Sequence, residues 1–160
     1  MPLRRGRVIR TALAVTGISL ATCASPFERQ EDSLAIAEAR WRAAGLADYR
    51  FGFVRSCECL PAATSSVTMT VAGGAFVAAT YIGDGTPADT TLFRDALTLD
   101  RVFAYLHRAL AQHPATFTAQ YEPTLGYPIQ VSIDYSITTA DDEIFLSVFD
   151  LRPGRAASPP

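Results

Sequence analysis

The chain has 160 residues, about half of them hydrophobic (49%), with 14 basic against 16 acidic side chains and a formal net charge of -2. That length holds one domain with its own core and excludes two ordinary ones. The acidic balance excludes the electrostatic footprint of a nucleic-acid binder. Every basic residue apart from histidine is Arg, and four of these lie in the first ten positions. Without them the remaining body carries about -6.

Arg4, Arg5, Arg7 and Arg10 form a basic start, and Thr11 to Leu20 an uncharged, mostly apolar run. The run is shorter than the roughly 20 residues a helix needs to cross the hydrocarbon core, so the pattern reads as an export signal over residues 1–24 and not as a permanent span. Leu20-Ala21-Thr22-Cys23 closes it like a lipoprotein cleavage box, with Cys23 as the lipid attachment residue. Such boxes usually carry Gly, Ala or Ser where this chain has Thr22. A second cleavage competes, because Thr22 and Ala24 also satisfy the small-x-small rule and would release a lipid-free chain from Ser25. Lipidation is the preferred reading. It implies an exported protein anchored to the membrane, and the alternative a periplasmic or secreted one. Each buried methylene of such an anchor is worth about 0.8 kcal/mol.

Ser25 to Glu31 reads as a polar tether. Asp32 or Ser33 then caps a helix in which Leu34, Ala37, Trp41 and Ala44 recur at helical spacing, Glu38 and Arg42 form an i,i+4 pair, and Gly45 supplies a left-handed stop. From Tyr49 the period becomes two, with Tyr49, Phe51 and Phe53 on one face and Arg50 and Gly52 on the other. A loop follows at Pro61. Val67, Met69 and Val71 alternate with threonines, Gly73-Gly74 supplies a hairpin turn, and Phe76 to Ile82 returns as the next strand. Gly83 to Thr91 is a turn-rich excursion.

Thr98 caps the second helix, whose apolar stripe is Leu99, Val102, Phe103, Leu106, Ala109 and Leu110, and Pro114 stops it. Phe117, Ala119 and Tyr121 mark a fourth strand, and Ile129, Val131, Ile133 and Tyr135 a fifth. The sixth runs from Ile144 to Leu151, and its continuous apolar run predicts a central strand buried on both faces. Residues 152–160 read as a frayed tail. The expected architecture is a single α+β domain over 32–151, an antiparallel sheet of about six strands with two helices packed on one face. Its order, α-βββ-α-βββ, has the form of a duplicated helix-plus-meander unit.

Candidate chemistry is sparse, and no cofactor motif or convergent catalytic set is present. Cys57 and Cys59 are two apart, in phase with Phe53 and so directed toward the core. If Cys23 carries lipid they form an even pair in an oxidising compartment. A regular strand holds such residues near the upper limit of disulfide separation, so a bond requires a bend, which Pro61 favours. A structural disulfide, two small buried thiols and a redox-active pair all remain open. Asp134, Asp141, Asp142 and Glu143 bracket one loop and offer oxygen ligands for a hard cation, but match no calcium-loop spacing. They read better as a solvated connection. His107 and His113 show no evident partner. Tyr127, in the Gly126-Tyr127-Pro128 turn, is either an exposed contact residue or a cover over the core edge.

Trp41, Gly45 and Tyr49, Cys57-Glu58-Cys59 with Pro61, Tyr121 with Gly126-Tyr127-Pro128, Asp134, and Asp141-Asp142-Glu143 together resemble a bacterial family of secreted proteins and lipoproteins filed as a domain of unknown function. The resemblance runs from about Leu34 to Leu151. One departure is Leu60, where the family more often has proline. The resemblance implies an envelope location and leaves activity open. Two functions are expected from the residues: a noncatalytic binding or structural module with an envelope protein partner and a lipid anchor in the membrane, or a thiol-disulfide protein using Cys57 and Cys59.

Overall fold

A computed structural model describes residues 25–154; residues 1–24, with the expected export signal and Cys23, and residues 155–160 lie outside the described part. Helix α1 (Pro26–Ala44) starts at Pro26 and not near Asp32. The cause is a capping box one step upstream. The Ser25 hydroxyl accepts the Glu28 backbone N–H at 3.1 Å, the Glu28 carboxylate accepts the Ser25 N–H, and Pro26 presets the first helical turn. The segment expected as a tether is therefore helical from residue 26, and Phe27 packs back against the core. Glu38 and Arg42 pair at 2.6 Å, and Gly45 ends the helix at φ +60°.

Strand β1 (Tyr49–Ser56), the single turn α2 (Pro61–Thr64), β2 (Val67–Ala72), β3 (Ala75–Tyr81), a 3-10 segment (Thr90–Ala96), α3 (Leu99–Leu110), β4 (Thr116–Tyr121), β5 (Pro128–Asp134) and β6 (Ile144–Pro153) follow in order. The strands make one antiparallel sheet ordered β3-β2-β1-β6-β5-β4. The fold class and the α-βββ-α-βββ order are as the sequence pattern predicts. Each meander keeps the same internal order, which places β1 and β6 at the centre. The 3-10 segment occupies part of a stretch that carries no apolar period. Asp89 caps it by accepting the Thr91 N–H at 3.0 Å, and buried Phe93 and Ala96 fasten it to the core.

The core lies between the helices and one face of the sheet. Leu34, Ala37 and Trp41 of α1 and the Leu99-to-Leu110 stripe of α3 cover Phe51, Phe53, Met69, Ile133 and Val148, all of them buried. Burying each large side chain stabilises the fold by roughly 1.5–3 kcal/mol. Trp41 donates its indole N–H to Asp100 at 3.2 Å and meets the Tyr49 ring edge-on at 5.1 Å, joining both helices to β1.

Strand β6 departs from expectation in two ways. It is central, but buried on one face only: Leu146 and Val148 are covered while Phe145 is 53% exposed, because both helices lie on the same side. It also continues into the supposed tail, with Arg152 opposite Arg50 and Pro153 opposite Tyr49. The Gly154 N–H then donates to the Asp48 carbonyl at 2.7 Å.

Candidate functional site

The sheet face away from the helices has no layer over it among the described residues, and its side chains follow from the strand register. One row across β1, β6, β5 and β4 is Ser56, Phe145, Ser132 and Thr118; the next is Val54, Ser147, Gln130 and Gln120. Together they line a groove of about 340 Å³ that is uncharged, with Phe145 standing in it. Farther along β1 lie Gly52 opposite Phe149, and Arg50 opposite Arg152.

Phe149 and Arg152 are three residues apart, which in a regular strand puts them on opposite faces. A β-bulge between the Arg50 and Gly52 positions inserts one extra residue into β6, with Asp150 at φ +51°. The bulge turns Arg152 onto the same face as Phe149. Gly52 makes room for the Phe149 ring, since a Cβ there would collide with it. The result is a cleft of about 290 Å³ lined by Arg50, Gly52, Thr68, Ile82, Phe149, Asp150 and Arg152. Arg152 is held by the Asp150 carboxylate at 2.9 and 3.2 Å. Arg50 was legible as a residue of the outer face, whereas Arg152 was not, because the bulge leaves no periodic trace.

Cys57 and Cys59 are joined in a disulfide with their Cα atoms 5.3 Å apart. An extended strand would hold them about 6.6 Å apart. The required bend is a three-residue turn in which the Cys59 N–H donates to the Cys57 carbonyl at 2.8 Å. Because β1 ends at Ser56, the strand phase that pointed both cysteines toward the core is lost: Cys57 is half-buried and Cys59 exposed. Pro61 serves as the first residue of α2, one position after Leu60, which is itself exposed.

The turn carrying Tyr127 docks on α1. Gly126 sits at φ +82°, and a Cβ there would run into the Ala37 carbonyl. The Glu122 carboxylate accepts the Thr124 N–H at 3.0 Å, and the Glu122 N–H donates to the Tyr127 carbonyl at 2.9 Å. Tyr127 is half-buried and packs against the core, and that burial, followed by the Glu122 charge, raises its phenol pKa.

The acidic residues do not converge. Asp134 accepts the Ser136 N–H at 2.9 Å, Asp141 sits at φ +68°, and one oxygen of Asp142 is buried without a hydrogen-bond partner. Among the described residues no three His, Cys, Asp or Glu side chains gather to hold a metal. The histidines do have partners, contrary to expectation. His107 meets Glu38 of α1 at 2.8 Å, and the His113 ring lies 5.2 Å from that of Phe27. Sequence spacing concealed both contacts, since each joins α3 or its end to α1. No described helix is long and apolar enough to cross a membrane.

No curated protein and no solved structure matches the chain. The model of one protein family does match, across residues 33–153, from the second turn of α1 to the last residue of β6. That segment contains every strand of the sheet and the whole uncovered face, and by it the chain belongs to the family of unknown function DUF6174.

Proposed function

We propose that this chain is a noncatalytic binding module of the cell envelope, exported behind its basic-apolar leader and tethered through lipid on Cys23. The observation that carries the reading is the uncovered sheet face with its groove and half-exposed Phe145. A face of Ser, Thr and Gln side chains around one aromatic anchor suits a protein partner, with the aromatic at the centre and hydrogen-bonding groups around it.

Photo-crosslinking tests it. A photoreactive residue at Phe145 is expected to give a discrete adduct in intact cells, whereas the same residue at exposed Ala104 on α3 gives none. Equal labelling from both positions, or none from Phe145, overturns the proposal. Intact mass of the cellular protein checks the anchor, since cleavage before Cys23 with added acyl mass is expected, and a chain that retains Met1 refutes export.

A disulfide at the exposed residue Cys59 favours a second reading, thiol-disulfide exchange. A partner dithiol would attack Cys59 Sγ, expelling Cys57 as thiolate. Its second thiol would then release the mixed disulfide, leaving the partner oxidised and the pair reduced. A small monothiol, which cannot carry out the second step, is expected to leave a mixed disulfide on Cys59 with Cys57 free for alkylation, and failure to form that adduct removes the reading.

A further inference from the structure

The cleft at Arg50 is chemically different from the rest of the uncovered face, and its charge is unbalanced. Arg50 and Arg152 stand directly opposite each other on neighbouring antiparallel strands, an arrangement of like charges that disfavours pairing. It occurs in a chain of net negative charge. Arg152 has Asp150 as its counterion. Arg50 has no hydrogen-bond or ion-pair partner among the described residues.

The surroundings are shaped as well as charged. The bulge at Asp150 brings Arg152 to this face, and Gly52 yields its side-chain volume to the Phe149 ring. Thr68 lies opposite Gly52 and Thr70 opposite Arg50, so a hydroxyl row from β2 borders the guanidinium. Ile82, 49% exposed, closes the apolar side. One free guanidinium, a second held at its carboxylate, neighbouring hydroxyls and an aromatic wall make a donor set for an oxyanion with a flat or apolar body beside it.

We infer that this cleft binds an amphiphilic oxyanion, a phosphate or carboxylate group on an apolar body, with Arg50 as its principal donor and Phe149 as the surface for that body. The inference deepens the binding-module reading and rests on it. The ligand is either a small soluble anion or the headgroup of an anionic lipid, which share this chemistry.

The test is calorimetric titration of the purified protein with phenyl phosphate and with inorganic phosphate, and sedimentation with phosphatidylglycerol or phosphatidylcholine vesicles. Saturable binding of phenyl phosphate is expected, tighter than that of inorganic phosphate and weakened at least about tenfold by Arg50→Gln, with the melting temperature not lowered. Phe149→Ala is expected to abolish the preference for phenyl phosphate over inorganic phosphate. Co-sedimentation with phosphatidylglycerol but not phosphatidylcholine vesicles, lost in Arg50→Gln, would identify the lipid source and equally support the site. Absence of saturable binding to both phenyl phosphate and phosphatidylglycerol, or affinity unchanged by Arg50→Gln, overturns the inference. A discrete adduct at Phe145 alongside that failure would leave the binding module standing and remove only the anion site.

Discussion

The Tyr49 hydroxyl accepts the backbone N–H of Leu99 at 3.1 Å, so β1 supplies a partner for a donor at the first position of α3. The first N–H groups of a helix have no partner within it, and here one is buried in the core. Tyr49→Phe removes the acceptor while keeping the ring against Trp41. Urea denaturation is expected to show a loss of about 1–3 kcal/mol, the cost of an unsatisfied buried donor.

Burial also raises the Tyr49 pKa from its ordinary value near 10 to about 12, with the Asp100 charge adding to the shift and the Leu99 hydrogen bond opposing it. The phenols of Tyr105 and Tyr121 are pushed up as well, chiefly by burial. A raised folded-state pKa means that the native chain holds more protons than the unfolded chain above pH 10. Stability from these neutral phenols is therefore complete below pH 10 and falls as pH rises toward 12. Urea midpoints measured against pH should decline across that interval, with phenolate absorbance from these tyrosines appearing on unfolding.

Gly126→Ala is expected to destabilise the fold, because a Cβ at φ +82° would be driven into the Ala37 carbonyl and to within 2.9 Å of the Arg40 Cβ. Backbone strain of this kind costs about 1–3 kcal/mol before the displacement of α1 is added. A lowered melting temperature, with faster amide exchange in both the 122–128 turn and α1, is the expected result. Gly73→Ala provides a control for positive φ alone, since nothing lies within 4 Å of its added Cβ.

The disulfide spans a sequence separation of only two residues and contributes little to global stability. On the chain-entropy account, closing so short a loop is worth about 1.6 kcal/mol at most. Reduction is expected to lower the urea midpoint slightly and leave the far-UV circular dichroism unchanged. A collapse of the fold on reduction would mean that the Cys57–Cys59 bend organises more of the sheet than β1 alone.

Where a local rule acts through neighbours in the chain, the architecture was legible. The apolar stripe of α3, the Gly73-Gly74 hairpin, the Gly45 stop and the Glu38–Arg42 pair all appear as their spacing predicts. The early start of α1 is written in Ser25-Pro26-Phe27-Glu28, but this capping box lies outside the apolar period and inside the polar run Ser25 to Glu31 that reads as a tether. The candidate site was half legible. Arg50 and Gly52 fall on the outer face by simple alternation, while the apolar run hides Phe145 and Phe149 in a doubly buried strand and Arg152 reads as tail.

By itself the sequence determined the order of the main helices and strands, most of the core and the α+β class, because hydrophobic periodicity and turn chemistry are local and survive without knowledge of neighbours. Only the tertiary structure decided which face of the sheet stays uncovered, that His107 meets Glu38, and that the Asp150 bulge sets Arg152 opposite Arg50. Helix placement and strand register depend on contacts between residues far apart in the chain. A one-residue bulge, invisible in composition, changes the face on which every later side chain stands.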